Sequence, residues 1–313
     1  NKPISIDSMK RILRCLRSMA KQINNFSEIS ADYDAMFCDL WGCLHNGKKS
    51  SKPALAMLKK FKRNGGIVIL ITNAPRPEFS VKSQIEQMGI TTDCYDEIVT
   101  SGDAAQESLF SGDFGTNIFH IGPQRDLSFF QLQPSQNNYS SSINLVNFEE
   151  AESIVCTGLF NEMKESPADY QELLSKSKIR DLKLLCVNPD LSVDFGEKRL
   201  WCAGSIAKAY TDAGGESVYF GKPHKPIYEI AFKKLKALNQ QIEKDRIICI
   251  GDGISTDILG GNSNGMDTLF VCSGLARFEL KIFNDSSPID SKTLNHYFKL
   301  HRITPTSTIG HLR

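Results

Sequence analysis

The chain has 313 residues, 41% of them hydrophobic and 23% charged, with a formal net charge of +1. That length accommodates two compact domains, and a near-neutral balance excludes a global electrostatic address to nucleic acid or an anionic membrane surface. No run approaches the roughly 18 apolar residues of a membrane span. The nine cysteines form no C-x-x-C pair and mostly sit inside apolar runs such as Ile247-Ile248-Cys249-Ile250. They read as reduced, buried thiols of a soluble cytoplasmic protein with neither nucleic-acid nor membrane partners.

In chain order, residues 7–21 place Met9, Ile12, Leu13, Leu16 and Met19 on one face and Arg11, Arg14 and Arg17 elsewhere, which predicts an amphipathic helix. It forms the body of an N-terminal helical extension over 1–30. An apolar run then ends at Asp39 and is followed at once by a glycine turn. The pattern next predicts a helix over 53–63 closed by Asn64-Gly65-Gly66, a strand over 67–72, a helix to about residue 88 and a strand over 98–100. Strand and helix alternate as in a parallel, doubly wound α/β sheet with right-handed crossovers.

From about residue 113 the texture changes to short strands at 119–122, 154–157 and 184–187, separated by long polar segments. The Ser-, Asn- and Gln-rich stretch 131–147 reads as an exposed loop. Asn188-Pro189-Asp190 and a helix over 205–210 precede Gly214-Gly215, after which the first texture resumes. A strand over 218–220, a helix over 226–238, a strand over 246–250, a helix over 256–261 and a strand over 268–272 follow. The organisation expected is a Rossmann-like core of 31–112 with 217–313, interrupted by an inserted α/β cap domain of 113–216. Beyond Gly274 the pattern carries little information.

Four apolar runs end in chemistry: Asp39; Thr72 with Asn73; Lys222 in Gly221-Lys222-Pro223; and Asp252 with Asp257 around Gly251-Asp252-Gly253. Ligands of open α/β sheets gather at the carboxyl ends of strands. Together these residues supply the carboxylates, hydroxyl, amide and ammonium that hold Mg²⁺ beside a phosphoryl group. Singly, each has a plain rival: Thr72 and Asn73 as helix caps, Lys222 as a solvated lysine, Asp252 and Asp257 as turn formers.

In this order and spacing the chain resembles the haloacid dehalogenase superfamily, in the phosphatase branch whose large cap lies between the second and third motifs. Asp39 with Gly42 and Leu44 is similar to motif one, Thr72-Asn73 to motif two, Lys222 to motif three, and Gly251 to Gly253 through Asp257 to motif four. Asn188-Pro189-Asp190 and Ala203 to Lys208 resemble the cap of subclass IIA, the NagD-like sugar and nucleotide phosphatases. The resemblance implies a Mg²⁺-dependent hydrolysis of a small phosphorylated metabolite through an aspartyl-phosphate on Asp39. It implies Lys222 as the catalytic cation, Thr72, Asn73 and Lys222 as phosphate binders, and Asp39, the Trp41 carbonyl, Asp252 and Asp257 as the metal set. Arg76 after motif two and Asn188 and Asp190 in the cap would meet the substrate. A homo-oligomer is compatible with the sequence.

One position departs from the family pattern. Two residues after the nucleophile the phosphatases carry a second aspartate that protonates the leaving oxygen and then activates water; here it is Trp41. His45 and His224 are the candidate substitutes, since histidine titrates in the right range; a structural or solvated role is the rival for each. Two alternatives follow: a nearly inactive sensor of a phosphorylated ligand, or a reaction that needs no general acid. If the missing shuttle limits the rate, Trp41→Asp raises activity.

Overall fold

The computed structural model describes residues 20–132, 142–239, 241–282 and 289–313. The helix expected over 7–21 lies outside them except at its end, and there Lys21 is in a strand rather than a helix. That strand, β1 (Lys21–Ile23), is followed by β2 (Ala35–Cys38), α1 (Lys52–Arg63), β3 (Ile67–Thr72), α2 (Glu78–Gln87), β4 (Glu97–Thr100) and α3 (Ser101–Phe110). The second portion holds β5 (Asn117–Ile121), β6 (Asn144–Leu145), β7 (Ser153–Cys156), α4 (Gln171–Ile179), β8 (Lys183–Cys186), β9 (Ser192–Phe195), β10 (Lys198–Trp201), α5 (Ala203–Asp212) and β11 (Ser217–Tyr219). The third holds α6 (Lys225–Leu238), β12 (Ile247–Gly251), a π turn (Ile254–Ile258) running into α7 (Leu259–Ser263), β13 (Asp267–Val271), α8 (Ser291–His301) and β14 (Ser307–Ile309).

The main sheet has the order β1-β14-β13-β12-β2-β3-β4, with every pair parallel. Its central strands are buried on both faces, which is why they read as continuous apolar runs. Met36, Cys38, Val68, Leu70, Ile248 and Ile250 pack on one side. Ala35, Phe37, Ile69, Ile71, Ile247 and Cys249 pack on the other. From β2 the chain winds outward through β3 to β4, and from β12 through β13 to β14. The order therefore reverses between β2 and β12, and a crevice opens at their carboxyl ends.

Local chemistry starts and stops the helices. Ser51 caps α1 by accepting from Ala54 N, Pro53 occupies its first turn, and Lys60, Lys62 and Arg63 occupy its last. The apolar positions of α1 bury Ala54, Leu55, Met57, Leu58 and Phe61.

A second parallel sheet, ordered β11-β8-β7-β5-β6, covers the crevice together with the antiparallel hairpin β9-β10. One face packs Ile154, Cys156, Leu184 and Cys186 against Ile206 and Tyr210 of α5. The other packs Ile118, Val155 and Leu185 against Ala105, Leu109 and Phe110 of α3, joining the two sheets through a shared core. The polar stretch 131–147 lies partly outside the described residues, and its end carries β6, paired with β5. The uninformative tail supplies α8 and the parallel strand β14. The eight cysteines of the described residues are free and buried. Among the described residues no helix is long and apolar enough to cross a membrane.

Candidate active site

Asp39 is the first residue past β2, and its backbone N–H donates to Ile250 O at 2.8 Å, so the ladder to β12 holds its position at the switch point. The following turn is tight: Leu44 N donates to Leu40 O at 2.8 Å and Gly42 N to His45 O at 2.8 Å. Gly42 has φ +82, and a Cβ there would lie 2.0 Å from Asp252 Oδ2, so no side chain fits between the two strand ends.

Lys222 is 1% exposed. Its Nζ donates to Asp39 Oδ1 at 2.6 Å, to Asp257 Oδ1 at 2.7 Å and to Ile71 O at 3.1 Å, which satisfies all three of its hydrogens. Burial works against the ammonium, but Asp257, Asp39 and Asp190 outweigh it and hold Lys222 well above the usual lysine range. Asp257 also accepts from Gly253 N at 3.1 Å. Asp252 accepts from Leu275 N at 2.9 Å. Loss of solvation, then the Asp39 and Asp257 charges, push Asp252 well above the carboxylate range. For Asp39 burial dominates over the pull of Lys222, and its carboxyl is pushed up to about 8.

The site therefore gathers three buried carboxylates around one ammonium. Such an excess is stable only with a further cation or bound protons. Ligand atoms of Asp39, Asp252 and Cys43 lie within 4.8 Å of one another. A recess of about 10 Å³, the size for one ion or water, is lined by Asp39, Trp41, Asp190, Lys222, Asp252 and Asp257 among others. The donor set fits a hard divalent cation. Burial first, then Asp252 and Asp39, hold the Cys43 thiol well above its ordinary range; sulfur is also a soft donor, so the carboxylates and not Cys43 suit such an ion.

Above the recess lies a cavity of about 410 Å³ between the sheets. Asp39, Trp41, Thr72 and Arg76 line it from the main sheet, and Asn188 and Asp190 from the cap. A larger cavity of about 530 Å³, beside Phe26, Tyr33 and α1, contains none of these residues. Chemistry, not volume, distinguishes the two.

Thr72 Oγ1 accepts from Ala74 N at 3.2 Å, which leaves its hydroxyl hydrogen available. Asn73, expected as a phosphate donor, has both amide hydrogens engaged, with Asp190 Oδ1 at 2.9 Å and Lys222 O at 3.2 Å. Its Oδ1 accepts from Lys222 N at 2.7 Å. The amide thus locks the Lys222 loop to the cap loop instead of facing the cavity. Asn188 Oδ1 accepts from Asp190 N at 3.0 Å, shaping the Asn-Pro-Asp turn. Arg76 is 3.6 Å from Asp126 and also bonds Gln84.

Neither histidine joins this group. His45 Nδ1 accepts from Gly47 N at 3.0 Å, and burial lowers its pKa to about 4. Its ring packs on Trp41 with centroids 5.0 Å apart. His224 is exposed and stacks on Tyr219 of β11, centroids 5.1 Å apart. Trp41 itself reaches the cap: Nε1 donates to Asp194 O in β9 at 2.8 Å, and its ring lies beside Phe195. Asp194 takes a two-pronged contact from Arg199, whose guanidinium also donates to Leu275 O at 2.8 Å. The hairpin is thus tied to the loop that holds Asp252.

Sequence reasoning missed Arg125, Asp126, Thr157 and Glu162, all in the cavity wall. The signal was available: Asp126 follows β5 and Thr157 follows β7, as Asp190 follows β8. The strand-end rule used for the main sheet holds for the cap sheet too.

A doubly wound core with an acidic, lysine-centred site at its switch point and an α/β cap over it defines the class of capped, Rossmann-like α/β enzymes. The family model described as haloacid dehalogenase-like hydrolase matches residues 36–133, and a related HAD-hydrolase-like model matches 219–283. The crystal structure of a haloacid dehalogenase-like hydrolase from Brucella suis 1330 is 34% identical, covers 93% of this chain and 100% of its own, and superposes with a TM-score of 0.80. The chain belongs to the haloacid dehalogenase-like hydrolases, with the cap arrangement of subclass IIA. Curated relatives include the 5'-nucleotidase YutF of Bacillus subtilis (24% identical, 79% of this chain, 90% of the relative). An acid sugar phosphatase of Staphylococcus epidermidis is 26% identical over 79% of this chain and 89% of its own length.

Proposed function

We propose that the protein is a Mg²⁺-dependent phosphohydrolase of a small phosphorylated metabolite, of the sugar phosphate or nucleotide monophosphate class. The observation that carries this reading is Asp39, buried, bonded to Lys222 and open to the cavity under the cap. The named activities of the nucleotidase and sugar phosphatase relatives support the substrate class.

In this mechanism an Asp39 carboxylate oxygen attacks phosphorus in line, the ester bond breaks, and an aspartyl-phosphate forms that water then cleaves. Lys222, fixed by Asp257, offsets the charge of Asp39 and of the phosphoryl oxygens, and Thr72 donates its hydroxyl to one of them. Asn73 keeps Lys222 in place. Asp39, Asp252 and the Trp41 carbonyl would hold Mg²⁺, with Asp257 contributing through Lys222 and the ligand shell. When bound, the ion supplies charge stabilisation to the phosphoryl oxygens.

The test is phosphate release from a panel of sugar and nucleotide monophosphates, with Mg²⁺ and with EDTA. Turnover that requires the metal is expected; none on any ester, with either, sinks the proposal. A second reading, binding without turnover, is favoured by the absence of a proton carrier at Trp41. It predicts thermal stabilisation by these esters without phosphate release.

Trp41 is a cap anchor in this site. Trp41→Phe keeps the ring packing and removes the bond to Asp194, so kcat/KM is expected to fall roughly 5- to 10-fold, the worth of one hydrogen bond. Trp41→Asp is expected to lower turnover further instead of raising it, because it removes the ring from Phe195 as well. Steady-state kinetics of the two variants check this, and a gain in the aspartate variant would refute it.

A further inference from the structure

The departure at position 41 leaves the leaving oxygen without its usual proton donor, and neither histidine reaches the cavity from its place in the fold. Four residues line both the recess at Asp39 and the larger cavity above it: Asp39, Trp41, Asp190 and Val193. Asp39 is the attacking group. Of the other three only Asp190 carries a transferable proton.

From this placement we infer that Asp190, contributed by the cap, is the general acid and base of the reaction, taking over the work that the second aspartate of motif one performs elsewhere in the family. The inference rests on the phosphohydrolase reading above.

The geometry suits the task. In-line attack by Asp39 sends the leaving oxygen away from the floor of the crevice and toward the cap. Asp190 sits on that side, at the boundary between the two spaces. Its Oδ1 accepts from Asn73 Nδ2 at 2.9 Å, and its backbone N–H donates to Asn188 Oδ1 at 3.0 Å, so one carboxyl oxygen is fixed and Oδ2 is the one left to exchange a proton. No residue other than glycine fits at position 204, where a Cβ would lie 2.6 Å from Asp190 O, so α5 closes directly behind this turn. Loss of solvation raises the Asp190 carboxyl to about 6; Lys222 and the Asn73 amide pull it down, and Asp257 pushes it up. A carboxyl placed there is within the reach of both the leaving oxygen and the incoming water, the two groups a general acid and base must serve.

In the first step an Asp39 oxygen bonds to phosphorus. The bond from phosphorus to the ester oxygen breaks with its electron pair on that oxygen, and the Asp190 proton moves to it, releasing an alcohol. In the second step the Asp190 carboxylate takes a proton from water as the water oxygen bonds to phosphorus. The Asp39–phosphorus bond breaks, inorganic phosphate leaves, and Asp190 is again protonated. Trp41 closes the cap through Asp194 and so keeps Asp190 over the reacting atoms.

The experiment compares Asp190→Asn with the wild-type chain on two esters. One is an alkyl phosphate such as glycerol phosphate, whose alcohol must be protonated as it leaves. The other is p-nitrophenyl phosphate, whose anion leaves unaided. For the alkyl ester kcat is expected to fall about 10²- to 10⁴-fold with KM little changed. For the aryl ester the variant is expected to release p-nitrophenolate in a burst stoichiometric with enzyme, followed by slow turnover as the aspartyl-phosphate waits for a base.

Asp190→Glu is expected to recover part of both steps, and Asp190→Ser serves if the asparagine variant does not fold. Equal losses on the two esters with no burst would overturn the inference, leaving Asp190 as a support for Asn73. Unchanged kinetics would overturn it as well. A wild-type chain inactive on every ester would instead defeat the phosphohydrolase reading, a distinct result.

Discussion

Asp39→Asn is expected to abolish phosphate release, with a loss of at least about 10⁴-fold, because the proposed mechanism makes Asp39 the covalent nucleophile and gives no other group that task. The folded chain should survive the change and become more stable without metal. Burial holds the Asp39 carboxyl at about 8 against an unfolded value of 3.8. Between those values the native state keeps a proton that the unfolded state has already released. Stability of the metal-free wild type therefore falls as pH rises through that window. Asparagine removes this contribution. In EDTA the variant should match the wild type near pH 4 and exceed it increasingly toward pH 8, by an amount on the order of a few kcal/mol at most. Thermal melts at several pH values check the sign. A variant less stable than the wild type at pH 7.5 would mean that the Lys222 contact, not burial, governs Asp39.

Lys222→Met is the complementary experiment and has the opposite sign. The substitution removes the cation shared by Asp39 and Asp257 and leaves Asp257 buried without its ionic partner. Breaking a buried pair in this way costs about 3–5 kcal/mol. Activity should disappear with it, since the ammonium also offsets charge on the transferred group. Urea denaturation in EDTA at neutral pH measures the cost, and a loss below about 1 kcal/mol would show that the carboxylates take up protons freely enough to need no cation. Adding Asp39→Asn to Lys222→Met should return part of the stability, because the two side chains touch and their effects are not additive.

Much of this site was legible because its signals are local. Asp39, Thr72 and Asp252 each stand where an apolar run meets a turn, and the same residues that build a buried parallel strand also announce its end. The central strands were legible for the same reason: burial on both faces writes an uninterrupted apolar run into β2, β3, β8 and β12. Edge elements were not. β1 and β14 are three residues each and pair with each other, so neither contains enough of a period to stand out. Lys21, placed at the end of an amphipathic helix by its neighbours, is in a strand because Thr306 and Ser307 lie beside it in the fold.

The residues of the cap illustrate the other limit. Asp126, Thr157 and Asp190 follow strands as clearly as Asp39 does, but their short strands lie among long polar segments, and nothing local says that the carboxyl ends of two separate sheets face one cavity. Asn73 shows how a correct location can carry a different task. Its position after β3 was readable, whereas the use of its amide depends on Lys222 and Asp190, 149 and 117 residues away.

By itself the sequence determined the doubly wound α/β core and the four strand ends that carry the carboxylates, hydroxyl and ammonium. These follow from hydrophobic period and turn chemistry, which act over a few residues. Only the tertiary structure decided what Trp41 does, because its indole N–H finds the Asp194 carbonyl 153 residues later. It also brought Asp190 of the cap to the cavity that Asp39 lines. Hydrogen bonds and buried charges are satisfied by whatever the fold brings near, and that partner is a property of packing, not of spacing along the chain.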